Sequence, residues 1–221
     1  MHNPVFSRLV FFLILGAAVV SGAAACKTAG GSSTGARILQ PGAPGQDTRT
    51  INTQQATDLS KVQATPADVK FMQGMIGHHA QAVEMVALIA DRSTNPDIKR
   101  LGMRIQISQD DEMNMMRTWL RDRGAAIPGP HAHHEPGGFM PGMLTQEEMT
   151  ELANAKGVEF DRLFLLGMIK HHGGAITMVE ELFKSPGAGQ EGGIFAFASD
   201  VDADQRMEID RMGAMLKELG K

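Results

Sequence analysis

One amphipathic stretch occurs twice in this chain, and that duplication limits the possible folds more than any other feature. Residues 71–86 read FMQGMIGHHAQAVEMV and residues 164–179 read FLLGMIKHHGGAITMV. Phe71, Gly74, Met75, Ile76, His78, His79, Ala82, Met85 and Val86 recur as Phe164, Gly167, Met168, Ile169, His171, His172, Ala175, Met178 and Val179. Apolar residues return at helical spacing in both copies, so the repeated unit includes an amphipathic helix. Downstream, Gln109, Glu112, Met116 and Leu120 align with Gln205, Glu208, Met212 and Leu216. The unit is therefore a helical hairpin. A single amphipathic hairpin cannot bury its apolar face, so two should pack on each other.

Punctuation divides each copy. Thr65-Pro66-Ala67-Asp68 has the spacing of a capping box with proline at the first helical position, and predicts a helix running to about residue 91. Ser93-Thr94-Asn95-Pro96 is a turn that caps a second helix ending near residue 123, before Gly124. Thr145-Gln146-Glu147-Glu148 opens a third helix, which Ser185-Pro186-Gly187 should end, and a fourth fills roughly residues 194–219. No alternating strand pattern or Asn-Gly hairpin signal is present. The expected fold is all-α, an antiparallel four-helix bundle of two related hairpins. The joining segment is long enough to be a crossover, which is a ferritin-like layout. The expected organisation is a first hairpin at 65–123, a crossover at 124–144 and a second hairpin at 145–221.

The residues before the bundle read as an export signal and a tether. Arg8 supplies a positive charge, residues 9–20 are an apolar run, and Ala23-Ala24-Ala25 form a small-residue cleavage region. The run is shorter than the roughly 20 residues a membrane-spanning helix needs. Cys26 follows directly, as in a bacterial lipobox, where the cysteine is lipid-modified and becomes the mature N-terminus; the alternative is an ordinary signal peptide. With Lys27 rather than Asp next to the cysteine, a lipoprotein of a Gram-negative host would be sorted to the outer membrane. Residues 27–64, rich in Gly, Ser, Thr and Gln, read as a flexible tether. Cys26 is the sole cysteine, so there is neither an internal disulfide nor a thiolate metal site. A formal charge of −4 and a pI near 6.1 provide no basic footprint for nucleic acid.

The chain holds 16 methionines but no tyrosine, and the placement of those methionines beside histidine carries the chemistry. Two apolar stripes run along each repeated helix, one through Met75 and His78 (Met168 and His171), the other through His79 (His172). Together they make a face wide enough to point into a bundle, with the histidines within it or at its edge. A buried imidazole without a partner costs about 1–3 kcal/mol. Either a carboxylate or backbone carbonyl satisfies each ring, or the rings are ligands. Met75, His78 and His79, like Met168, His171 and His172, stand at i, i+3 and i+4 and can converge on one ion.

Counting residues back from the turns sets Met75 opposite Met113, Met72 opposite Met116 and His78 near Asp110 and Asp111. In the second hairpin it sets His171 near Met207 and Met168 near Asp210, with Met212 one turn away. Met85 and Met178 lie about 10 Å along the axis from the histidines at 1.5 Å per residue, as a separate weak site or as core. Met113, Met116 and Met212 are candidate further thioether ligands, although for each of them, as for Met115, Met207 and Met215, core packing is the plainer individual reading. Ferritin-like di-iron sites use Glu-x-x-His; here Met-x-x-His occupies that spacing. Thioether in place of carboxylate disfavours iron and manganese and suits Cu(I) or Ag(I), while zinc would prefer the missing cysteines. The crossover adds His131, His133, His134 and Glu135, then Met140-Pro141-Gly142-Met143. It is either a metal-binding tract by composition or a solvated loop.

These motifs resemble the bacterial family catalogued as domain of unknown function 305. The resemblance is carried by Gly74-Met-Ile-Gly-His-His-Ala-Gln-Ala-Val-Glu-Met, its repeat from Gly167, and Met140-Pro-Gly-Met143, and covers residues 65–221. It implies a ferritin-like helical bundle, exported in many members, and copper binding by Met and His as proposed for periplasmic CopM-like members. Carried over by motif, the ligands would be Met75, His78, His79, Met168, His171 and His172. The expected function is an exported, lipid-anchored, non-enzymatic protein that binds Cu(I) or Ag(I) for copper tolerance or trafficking. Its partners would be copper ions, a membrane and a copper-exporting or copper-accepting protein. The alternatives are a structural or partner-binding bundle with hydrogen-bonded core histidines, and a metal-dependent oxidoreductase. The last is disfavoured by the lack of a mirrored carboxylate set, since Thr177 stands where the first repeat has Glu84.

Overall fold

The computed structural model describes residues 38–40, 47–58, 62–129 and 140–220. The export-signal residues, Cys26, His131, His133 and His134 lie outside the described residues. Two compact units are present, Met1–Thr57 and Asp58–Lys221. In the first, β1 (Ile38–Gln40) pairs antiparallel with β2 (Arg49–Ile51), Ile38 opposite Ile51 and Leu39 opposite Thr50, and α1 (Thr53–Thr57) follows. Composition predicts an irregular tether here. The β-branched Ile38, Thr50 and Ile51 favour pleated pairing, but strands this short leave no alternation to read.

The second unit is built from α2 (Pro66–Ala87), α3 (Ile89–Arg92), α4 (Pro96–Asp122), α5 (Gln146–Asn154), α6 (Gly157–Lys184) and α7 (Gly192–Leu219). The capping chemistry is as the sequence reads. Thr65 and Asp68 close a capping box on α2, Asn95 caps α4, and Thr145 and Glu148 close a second box on α5. Asp68 is fully buried, and its other carboxylate oxygen accepts from Gly189 N–H at 2.7 Å, so the start of α2 also anchors the α6–α7 loop.

The expected helix from Thr145 to the Ser185 turn is two helices. Ala155 and Lys156 are extended, and Gly157 enters α6 at φ +60°, a left-handed conformation that glycine adopts without a Cβ penalty. The first helix breaks more gently: Leu88 stays helical, and its N–H turns back to Met85 O, separating α2 from α3.

Two apolar clusters fill the bundle, and each draws on all four long helices. One contains Phe71 and Met72 of α2, Met116 and Leu120 of α4, Val179 and Leu182 of α6, and Phe197 and Val201 of α7. The other contains Met85 and Val86 of α2, Leu101 and Ile105 of α4, Phe164 and Met168 of α6, and Met212 of α7. Going along the chain, α2 and α7 pass from the first cluster to the second, while α4 and α6 pass the other way. The bundle therefore runs up-down-down-up, with α2 packed on both α4 and α6, and α6 on α7. Because α4 and α6 are parallel, the chain between them must return the length of the bundle. This is a ferritin-like, antiparallel four-helix bundle of two hairpins.

A histidine layer as candidate metal centre

Between the two clusters every long helix carries polar residues at the same height: His78 and His79 on α2, Gln109 and Glu112 on α4, His171 and His172 on α6, Gln205 and Glu208 on α7. The four histidines, Gln109 and Gln205 are all buried. Duplication explains the layer, since each half contributes a His-His pair and a Gln-x-x-Glu from corresponding positions.

The rings have their outer nitrogens held in two ways. His79 Nε2 lies 2.6 Å from Glu112 Oε2, and His172 Nε2 lies 2.6 Å from Glu208 Oε2. His171 Nε2 lies 2.9 Å from His78 O, and His78 Nε2 lies 2.9 Å from Pro141 O. Carbonyls and ionised carboxylates only accept, so each imidazole donates from Nε2 and a neutral ring keeps its lone pair on Nδ1. The Nδ1 atoms of His79, His171 and His172 are buried with no hydrogen-bond partner. His78 and His171 approach across the α2–α6 contact with ring centroids 3.9 Å apart.

Burial and neighbouring charge act on individual groups of this layer. Burial, then the neighbouring His78, His172 and His79, hold the His171 imidazole well below the usual histidine range. Burial alone would raise the Glu112 carboxyl, but the hydrogen bond and charge of His79, with Ser108 and His172, outweigh it and lower it. Asp204 is raised, by burial and then by Glu112, Asp200 and Glu208, so acidic groups of α4 and α7 crowd together on that side.

The end of the crossover threads past the layer. Pro141 and Gly142 lie on Gly174 of α6, where a Cβ would overlap the Pro141 carbonyl and sit 2.6 Å from Gly142 Cα. Gly142 itself is at φ +74°, and a Cβ there would lie 2.5 Å from Lys170 O. Gln81 holds the next part of the chain, donating to Leu144 O at 2.9 Å and accepting from Leu144 N at 2.8 Å. Pro141 thus reaches His78 because the second repeat has Gly-Gly where the first has Ala-Gln.

Met75, Met113 and Met116 lie in the first cluster, with Met140 packed against it, and Met168 and Met212 lie in the second. Met143 is buried, and its sulfur accepts from Met140 N at 3.4 Å. Met115 and Met207 are exposed, so counting along the axis misplaced Met207 beside His171. Counting also sets Asp110 and Asp111 of α4 near His78, whereas the α4 carboxylate that reaches a ring is Glu112, on the neighbouring His79. Glu112 and Glu208 form a mirrored carboxylate pair, contrary to the expectation of none. Their alignment between α4 and α7 was the sequence signal for it. Among the described residues no three His, Asp or Glu groups converge with metal-ligand spacing. An ion here would rely on few donors or on thioether help, which suits a monovalent soft cation and not a hard one.

The fold and the layer together define the class of protein: a four-helix bundle of duplicated hairpins with paired histidines across its core. The chain belongs to the family described as domain of unknown function (DUF305), whose profile matches residues 68–216. It is similar to a DUF305 protein from Streptomyces coelicolor classed among secreted proteins, with 30% identity, 70% of this chain and 94% of that one covered, and a TM-score of 0.61. It is similar to CopM in its Cu(I)-bound form, with 25% identity, 71% and 98% covered, and a TM-score of 0.55. A viral relative, the uncharacterized protein L153 of Acanthamoeba polyphaga mimivirus, is 40% identical over 63 residues. That match spans 28% of this chain and 41% of the viral protein.

Proposed function

We propose that this protein is an exported, non-enzymatic carrier of Cu(I) or Ag(I), serving copper tolerance or trafficking. The observation that carries the reading is the set of orphaned Nδ1 lone pairs. Each unsatisfied buried polar atom costs about 1–3 kcal/mol, and a bundle with apolar clusters on both sides of the layer could have filled it with leucine. Metal-ligating histidines characteristically donate their second nitrogen to a carboxylate or backbone carbonyl, which fixes the ring and raises ligand basicity. All four Nε2 atoms do so here. His78, His79, His171 and His172 are the proposed imidazole ligands, with Met75 and Met168 as neighbouring thioethers. Met113, Met116 and Met212 serve as packing around them, and His131, His133, His134, Met140 and Met143 as weaker capture sites. The likeness to Cu(I)-bound CopM supports the choice of ion, and the Streptomyces relative classed among secreted proteins supports export. Retention at a membrane by lipid on Cys26 is part of the proposal.

A structural bundle with hydrogen-bonded histidines is the second reading, favoured by the satisfied Nε2 atoms. The two readings part at Nδ1. Anaerobic Cu(I) titration of wild type and of a variant with His78, His79, His171 and His172 all changed to Gln, read by intact-protein mass spectrometry, tests them. The expected result is loss of the tightest ions in the variant. Unchanged affinity and stoichiometry in a folded variant would make the histidine pairs structural. For the anchor, fatty-acid labelling should disappear in Cys26→Ser.

A further inference from the structure

Two methionine side chains outside the histidine layer meet over one glycine. Met140 comes from the crossover and Met178 from α6, yet a Cβ at Gly74 of α2 would lie 3.3 Å from Met140 Sδ and 3.4 Å from Met178 Cε. The bare Gly74 backbone is the floor on which both side chains meet. They line a cleft of about 360 Å³ together with Phe71 and Pro141, with Lys70 and Glu181 also on its walls. Met178 is 8% exposed, and Met140 is partly buried beside it.

The duplication supplies an internal comparison. Gly167 corresponds to Gly74, and a Cβ there would lie 3.1 Å from Met85 Cε and 3.1 Å from a Leu144 methyl. Met85 corresponds to Met178, so the methionine of each repeat covers the glycine of the other. The crossover then adds leucine on one side and methionine on the other. Packing alone is served equally by either residue, which are nearly equal in volume, so the second sulfur is what distinguishes the Gly74 side.

Met140 is also held in place. Met143 N donates to Met140 O at 3.2 Å, Met140 N donates to Met143 Sδ at 3.4 Å, and the following carbonyl, Pro141 O, accepts from His78. We infer that Met140 and Met178 form a bis-thioether site for a monovalent soft cation at the mouth of this cleft, separate from the histidine layer and one residue along the crossover from the carbonyl that holds His78. The inference rests on the soft-metal reading above. Thioether sulfur binds Cu(I) and Ag(I) without deprotonation and holds harder cations poorly, so the site fits an ion arriving from solvent before it meets imidazole.

The test is an Ag(I) titration of the full chain carrying ¹³C-methyl methionine, followed by NMR, with signals assigned through Met140→Leu and Met178→Leu. The expected result is that the Met140 and Met178 methyl signals shift together on addition of Ag(I) while the Met85 signal does not. The double Met→Leu variant should bind one Ag(I) fewer by intact-protein mass spectrometry. Ag(I) binding with both methyl signals unmoved, or unchanged stoichiometry in the double variant, would overturn the thioether site and leave the histidine reading standing. No Ag(I) binding by the wild-type chain would overturn both. The Met→Leu variants keep core volume, so the test does not depend on the histidine variant folding.

Discussion

Each histidine of the layer depends on a partner that positions it, and those partners are where single substitutions should tell most. Glu112→Ala leaves the buried His79 Nε2–H without an acceptor, and should destabilise the domain by about 1–3 kcal/mol in denaturant unfolding. Glu112→Gln keeps the shape and an acceptor oxygen. Its expected effect is a modest change in stability with Cu(I) affinity lowered on the order of 10–100-fold, measured by competition with a chelator; unchanged affinity would detach Glu112 from any metal role. The pH dependence follows from His171. Its folded-state pKa is depressed by burial, so the unfolded chain binds more protons and stability rises with pH. The contribution of neutral His171 is whole above its unfolded pKa of about 6.5 and is lost progressively as pH falls below it. Thermal melts between pH 7.5 and 5.5 should show Tm falling on acidification, with a shallower slope in His171→Gln. The two imidazole pairs could be read from sequence because the duplication marked them. The carboxylates that meet rings, Glu112 on His79 and Glu208 on His172, are not given by counting from the turn, which sets Asp110 and Asp111 near His78, because counting residues gives height along a helix, not rotation about it.

At the scale of elements, the crossover shows how local backbone chemistry decides what reaches the core. Gly174 matters for close approach, since an added Cβ would meet backbone atoms of Pro141 and Gly142 that cannot rotate away. Gly174→Ala should therefore lift the crossover from α6, costing about 1–3 kcal/mol as overpacking does, and take the Pro141 carbonyl away from the His78 Nε2–H. Denaturant unfolding and His78 NMR signals would check both effects. The matched change Gly173→Ala, with open space around it, should leave the His78 signals in place. Helix starts were legible because Thr65, Asn95 and Thr145 cap through contacts within a few residues. The break between α5 and α6 was not, because Ala155 and Lys156 carry no breaker signal and a lone glycine before a strong helical pattern reads as interior.

For the whole molecule, the polar layer sets a balance between stability and binding. The layer bears several buried polar atoms without a hydrogen-bond partner, so an ion that satisfies them adds its binding free energy to folding. At Ag(I) concentrations about 100 times the dissociation constant, the gain should be about 2.7 kcal/mol, seen as a higher Tm in anaerobic scanning calorimetry. The gain should be absent in the fourfold His→Gln variant. Residues 65–221 expressed alone should give a helical circular dichroism spectrum, because among the described residues the buried members of both core clusters lie in that stretch and its capped helices.

The sequence by itself determined the class of structure. A doubled amphipathic hairpin has one way to bury its faces, and the spacing of Met and His within it is a one-dimensional fact that survives in any bundle. Tertiary structure alone decided the rest: which carboxylate meets which imidazole, that Pro141 reaches His78, and that Met140 and Met178 meet over Gly74. Those contacts join residues far apart in the chain. They depend on helix rotation and on where backbones touch at glycine, and neither quantity is encoded in local propensity or period.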